Sequence, residues 1–405
     1  MATAIWMMAS RAGPFLLGWI AVATLKHQEY GSFVLAFAWV NAMVGICLGL
    51  FPTLAARAAN EVNAKTYLTA HLIKLGVQLI AGLALIIVAS VLFAGPTSTA
   101  TVWHGLATGW ASLAVGCSCL LSIISWSLGQ GRSLVGLALL ESILHAIWLV
   151  TCGILAWNTS VIMLGLGVIS ATVSIWFLLT LSRTNPSLLR QLSSAKKPDT
   201  PMKLASIVGP NLINSVAMSV TPALALVIAV ARTPDLDIEV IFGLAMLWVS
   251  AGLFPIQVLM LKLSQKLVQL RTTSEEISAY ELNATELASL GLGGIWGIGL
   301  AGIILWLGPI AVGNFKMPFA QLLPHLWQVA WIAGGLAFLA SVGPILQAQH
   351  RYTTWSAINV FGCFVLLCYA GFGILSPATL LYGMSLSVLS RCIFAAPLLS
   401  ASVKR

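Results

Sequence analysis

The chain has 405 residues, 59% of them hydrophobic and only 8% charged, with a net charge of +9 and a mean hydropathy of +0.97. Soluble domains carry about a quarter charged residues, so this composition leaves no segment for a sizeable soluble domain and defines a polytopic membrane protein. Apolar runs of about 18 residues or more recur from end to end, the length of membrane helices, whereas a barrel would show short alternating segments.

The runs predict twelve helical spans: 3–25, 31–55, 68–93, 103–128, 134–156, 160–182, 204–231, 238–261, 287–312, 320–347, 353–374 and 377–402. The first lacks a basic leader and a small-residue cleavage site, so it is read as a retained span. An even count places both termini on one side. With that side cytoplasmic, the inner loops collect Arg57, Arg132, Lys196, Lys197, Lys262, Arg351 and several further bases, and the outer loops hold only Lys26, Arg232 and Lys316. Retention of bases on the cytoplasmic side therefore predicts both termini inside. The positive charge is topological and implies no nucleic-acid partner.

The two longest polar breaks fall on the inside. "RTNPSLLRQLSSAKKPDTPMK", after span six, divides the chain into a lobe at 1–182, a basic linker at 183–203 and a second lobe at 204–405. The break after span eight, "KLSQKLVQLRTTSEEISAYELNATE", reads as a surface helix whose Asn283 glycosylation pattern is irrelevant in the cytoplasm. The halves echo each other. Gly13-Pro14 in span one has a counterpart in Gly209-Pro210, "GLFPTL" at 49–54 in "GLFPIQ" at 252–257, and "LGQGR" ending at Arg132 in "LQAQHR" ending at Arg351. Six spans per half keep the same orientation, so the repeats are parallel, an architecture found mostly in transporters.

The seven cysteines all fall in apolar spans without C-x-x-C spacing, which suggests neither a disulfide framework nor a zinc site. "GIGLAG" at 297–302 satisfies a dinucleotide spacing, but no strand precedes it. It is read, with Gly293 and Gly297, as a glycine face for close helix packing.

The segment Thr24 to Glu61, "TLKHQEYGSFVLAFAWVNAMVGICLGLFPTLAARAANE", resembles the first hairpin of Wzx-type polysaccharide and O-antigen lipid flippases. Glu29, Tyr30 and Gly31 match that family's loop and Arg57 its inner arginine, while the Gly-Pro that often precedes the acid is missing. These flippases belong to the multidrug/oligosaccharidyl-lipid/polysaccharide (MOP) superfamily. The resemblance implies an all-α membrane protein of about twelve helices in two pseudo-symmetric six-helix lobes around a central cavity, with no enzymatic chemistry and no cofactor. It implies a bacterial inner-membrane protein that turns a polyprenyl-pyrophosphate oligosaccharide from the cytoplasmic to the periplasmic leaflet by alternating access. Membrane lipids and other polysaccharide-assembly membrane proteins would be its partners. A MATE-type drug or cation antiporter is the alternative, with a membrane glycan polymerase or ligase behind it.

Four non-histidine ionisable residues fall within the predicted spans: Arg11, Lys74, Glu141 and Arg391. Each costs about 2.5 to 3.5 kcal/mol at a helix centre on insertion scales, which marks it as a functional candidate. Arg11 and Arg391 suit phosphate, since guanidinium pairs bidentately with its oxygens, or else they snorkel to headgroups. Lys74 and Glu141 start near one surface and form either a structural pair or part of the site. Glu141 and His145, four apart on one helical face, have the chemistry of a relay coupling transport to H+ or Na+. Asn211, Asn214 and Gln257 serve sugar hydroxyls or hold helices together. Pro14, Pro52, Pro210, Pro222 and Pro255 fall on spans one, two, seven and eight, which line the cavity of the superfamily.

Overall fold

The computed structural model describes residues 16–48, 99–127, 131–184, 201–232, 237–272, 279–314, 319–349 and 351–403. Arg11, Lys74, Arg57, Pro14, Pro52 and most of the predicted linker, 185–200, lie outside the described residues. Among those described, the chain is helical. In chain order the helices are α1 (16–24), α2 (His27–Leu48), α3 (Thr99–Ser127), α4 (Gly131–Ile154), α5 (Thr159–Thr184) and α6 (Pro201–Arg232). They continue with α7 (Ile238–Thr272), α8 (Ala279–Asn314), a 3-10 turn (Phe319–His325), α9 (Leu326–Ala348), α10 (Tyr352–Phe372) and α11 (Thr379–Val403). Seven of these are long and apolar enough to cross a membrane. The protein is an all-α, multi-pass membrane protein.

Two compact units emerge, Met1–Val220 and Thr221–Arg405. In the first, α3 packs along α5 and α2, and α4 lies on α5. In the second, α9 is central, flanked by α8, α7 and α11, while α10 pairs with α11.

The helices are amphipathic in the sense a membrane demands. On α4, Leu139, Ile143, Ile147, Val150 and Ile154 are exposed at three- and four-residue spacing, a stripe suited to lipid. The opposite face turns Ala138, His145, Leu149 and Cys152 inward, with Glu141 half-buried among them. Both faces are mainly apolar, so the distinction rests on where the few polar atoms lie. They point into the protein because bare hydrocarbon offers no hydrogen-bond partner.

Glycine does different work in the two units. On α8, a Cβ at Gly297 would lie 2.6 Å from the Gly334 carbonyl oxygen, so α8 and α9 touch backbone to backbone there. Gly293 faces Ser341 in the same seam. Gly299 and Gly302 of the "GIGLAG" motif instead meet nothing within 4 Å. The close-packing face thus runs through Gly293 and Gly297 only, because a helix of 3.6 residues per turn carries Gly299 and Gly302 to another side.

Helix boundaries depart from the sequence reading where polar text meets a span. The predicted span 287–312 is the later part of a helix that already begins at Ala279. Asn283 is therefore helical, and Glu281 and Glu286 lie on the same helix as the span.

Candidate functional site

The site develops in the first unit, where α3, α4 and α5 each bring one hydroxyl or ionisable group to a common point. Glu141 lies ten residues into α4, about 15 Å along it. The Ser118 hydroxyl of α3 donates to Glu141 Oε2 at 2.6 Å, and the Ser170 hydroxyl of α5 donates to Oε1 at 2.5 Å. Both carboxylate oxygens are thus held by short O–H···O bonds, roughly twice as strong as neutral ones when the acceptor is ionised. Ser170 is fully buried.

His145, one turn further along α4, is buried on the same face. Its Nε2 lies 3.1 Å from the Leu166 carbonyl oxygen and 3.1 Å from Ser170 Oγ. A carbonyl only accepts, so the hydrogen belongs on Nε2, and Nδ1 is left as the acceptor nitrogen. The result is a chain running from His145 Nε2–H through Ser170 O–H to Glu141.

The carboxylate opens onto a cavity of about 70 Å³ lined by Asn41, Ser118, Glu141, Ser142 and His145 among apolar residues such as Leu17 and Phe37. That volume holds a few waters. It is far below the roughly 300–1,000 Å³ of pockets for drug-sized ligands. The arrangement suits a proton or a small cation, not a sugar or a bulky solute.

The two residues expected to couple, Glu141 and His145, are brought together as their spacing suggests, with Ser170 between them. Ser118 and Ser170 were missed by sequence reasoning. Of the proposed substrate contacts, Asn214 and Gln257 are half-buried, and Asn211 lies in α6 with its side chain outside the described residues. Arg391 sits in the second unit on α11, buried, with its Nε donating to the Ser387 carbonyl one turn back at 3.2 Å. Its aliphatic stem covers Gly362 of α10, where a Cβ would come within 2.6–2.9 Å of Cγ, Cδ and Nε.

Glu286 is a second buried acid that the sequence reading missed. It lies on α8, 5% exposed, with the Gln349 amide donating to its carboxylate at 3.3 and 3.4 Å. Glu286 falls one residue before the predicted span 287–312, in the part of α8 by which that helix starts earlier than expected. Glu29, which carries the hairpin resemblance, has a structural task. Its Oε2 accepts from the Thr159 backbone N–H at 3.1 Å and the Thr159 hydroxyl at 3.0 Å, capping the start of α5.

No protein-family model and no curated protein matches the chain. Solved structures do. An inward-facing multidrug resistance MATE family transporter of the MOP superfamily superposes with a TM-score of 0.71 at 11% identity, over 99% of this chain and 96% of its own. A MATE bound to MaL6 gives 0.69 at 12% identity, covering 100% and 96%. A MOP superfamily transporter from Pyrococcus furiosus, described as having a binding pocket of reverse polarity that suggests a different function, gives 0.64 at 12% identity over 100% and 96%. The chain therefore has the two-lobed, twelve-helix fold of these transporters.

Proposed function

We propose that the chain is an ion-coupled transporter of the MOP superfamily, working by alternating access, with Glu141 as the group that loads the coupling cation. The observation that carries this reading is a carboxylate gripped by hydroxyls from two other helices beside a water-sized cavity in the middle of an apolar lobe. An acid placed at such cost marks an ion or proton route. The solute reading supported best is a MATE-type one, export of lipophilic cations. It gains from the MATE structures that share the fold and from Glu286, an acid held inside the protein.

The lipid-linked oligosaccharide flippase remains a second reading, favoured by the hairpin at Thr24 to Glu61 and by the buried Arg391, whose guanidinium suits pyrophosphate. The first of these supports is weakened by the capping role of Glu29, which speaks to fold and not to substrate. Under this second reading Arg11, Lys74, Arg391, Asn211, Asn214 and Gln257 are the proposed solute contacts. The distribution of bases supports both termini being cytoplasmic, and an inner-membrane location is what the flippase resemblance implies.

The test uses proteoliposomes holding the full chain, with an imposed H+ or Na+ gradient and two probes. Ethidium reports cation export, and a fluorescent undecaprenyl-pyrophosphate oligosaccharide reports leaflet exchange. Gradient-driven ethidium flux that Glu141→Gln abolishes supports the first reading. Leaflet exchange without ethidium flux transfers the assignment to the flippase, and neither signal overturns the transporter reading.

A further inference from the structure

Resting on that reading of Glu141, we propose that the coupling ion is a proton, and that Ser170 is the positioning residue that relays it between His145 and Glu141. The bonds already present define one end state. Glu141 is ionised, Ser170 donates its hydrogen to Oε1, and Ser170 Oγ faces His145 Nε2–H. A proton taken up at His145 Nδ1 makes an imidazolium. Its Nε2–H bond then breaks toward Ser170 Oγ as the serine's own O–H bond breaks toward Glu141. The products are a neutral imidazole protonated on Nδ1, an unchanged serine and a protonated carboxyl, with one proton gained overall. In this second state the serine hydrogen points to Nε2 and the Glu141 hydroxyl to Ser170.

The exchange changes more than charge. In the first state Nε2–H also approaches the Leu166 carbonyl of α5. In the second that donor is gone, so proton loading withdraws a bond between α4 and α5. Protonation is thereby tied to the packing of two helices.

Sodium suits the site poorly. A hard cation requires several oxygen lone pairs converging on one point. Here each carboxylate oxygen already receives a hydroxyl hydrogen at 2.5–2.6 Å, and the Leu166 carbonyl faces Nε2–H. Among the described residues lining the cavity, the titratable groups facing Glu141 are His145 of its own helix and Cys119 of α3. From α1, α2 and α5 come Leu17, Phe37, Val40, Asn41, Val44 and Leu166, none of which titrates.

The experiment titrates the substrate-free full-length chain in lipid nanodiscs from about pH 4 to pH 9, a window spanning ordinary carboxyl and imidazole ionisation. Infrared spectroscopy follows the protonated carboxyl band lost in Glu141→Gln, and nitrogen-15 NMR follows the histidine signal lost in His145→Gln. In the wild type the carboxyl band and the change from Nε2–H to Nδ1–H come together. Ser170→Ala separates them, and Ser118→Ala, which removes the other hydroxyl from Glu141, leaves them together. Where Ser170→Ala yields no folded protein, His145→Gln serves, and it moves the carboxyl midpoint from its wild-type position.

Coincidence persisting in Ser170→Ala, coincidence lost in Ser118→Ala, an unmoved midpoint in His145→Gln, or a carboxyl signal that shifts when sodium replaces choline each overturns the proposal. No transport is measured, so a working relay without gradient-driven flux defeats only the functional reading above. Flux without the relay defeats only this inference.

Discussion

The two lobes house their charges differently. In the first, Glu141 is held through its charged oxygens by Ser118 and Ser170 and borders a cavity that admits water. In the second, Arg391 is gripped by its stem, lying over Gly362 of α10 and bonded to its own helix at Ser387. A charge beside water can exchange a proton at small cost, whereas a guanidinium, which keeps its charge in proteins, is a fixed positive pole. On the proposed reading, the difference separates a lobe that changes protonation from a lobe that holds one charge constant.

The sharpest way to break that contrast is at Glu141. Glu141→Gln keeps the side chain's size and an acceptor for one serine, presents an NH2 donor to the other serine's hydroxyl, and removes ionisation. Gradient-driven flux of the ethidium probe should fall by at least about 100-fold, about 2.7 kcal/mol of lost coupling. Thermal stability in detergent should change little. Retained flux would mean that the acid of the first lobe is structural and that the two lobes do not differ in kind.

The next largest effects concern how each lobe is sealed. Gly297 of the second lobe meets the Gly334 backbone, which has no side chain to rotate away, so Gly297→Ala must push α8 from α9. A loss of about 2–3 kcal/mol is expected from such overpacking. In the first lobe Gly167 is covered by the indole of Trp110, a side chain 39% exposed. Gly167→Ala is relieved in large part by swinging that indole outward, which leaves the milder approach to the Ala111 Cα at 3.2 Å, and about 1 kcal/mol is expected. Gly294, with nothing within 4 Å, is the control and should be neutral to alanine. All three are read from thermal or denaturant unfolding of the purified protein. Equal losses at Gly297 and Gly167 would erase the distinction between backbone and side-chain seams.

Gly362→Ala probes the grip on Arg391 in the same way. The new methyl would meet Cγ and Cδ, which lie near the backbone and not at the free tip. A stability loss of about 1–2 kcal/mol is expected, with a change in any transport step that uses the guanidinium.

The fold was legible because membrane helices are written as long apolar runs, and eleven of the twelve predicted spans have described helices over all or part of their length. Half of the site was legible too. Glu141 and His145 stand out because ionisable residues are rare in such text, and their spacing alone puts them on one face. The serines were not. A serine in an apolar helix commonly satisfies its hydroxyl on the carbonyl four residues back, as Ser112, Ser142 and Ser385 do here. Nothing local distinguishes those from Ser118 and Ser170, whose partner lies on another helix. Glu286 was hidden for the converse reason. The polar stretch before it read as a surface segment, and only the start of α8 at Ala279 shows the helix carrying it inward.

The smallest expected effects lie at the ends of the lobes, where the same task is done with opposite charge. In the first lobe, Glu29 from the first turn of α2 accepts from the amide and hydroxyl at the start of α5. In the second, Arg232 at the end of α6 donates to the Ala370 carbonyl at 2.8 Å and the Gly373 carbonyl at 3.4 Å, at the end of α10. An acid at a helix N-terminus and a base at a C-terminus each satisfy orphan backbone groups and oppose the helix dipole. Glu29→Ala and Arg232→Ala should each cost about 1 kcal/mol of stability. Hydrogen exchange should rise at the Thr159 end of α5 in the first variant and around Ala370 in the second. The isosteric Glu29→Gln sharpens the comparison, since it retains an acceptor for Thr159 while losing the charge. It should recover part of the loss, and full recovery would show that the brace is a hydrogen bond with no share from the dipole. Transport by Glu29→Gln should stay near wild type, because the residue meets α5 and not the cavity. A specific loss of lipid-linked oligosaccharide exchange in that variant, with stability intact, would return Glu29 to the solute path and revive the flippase reading.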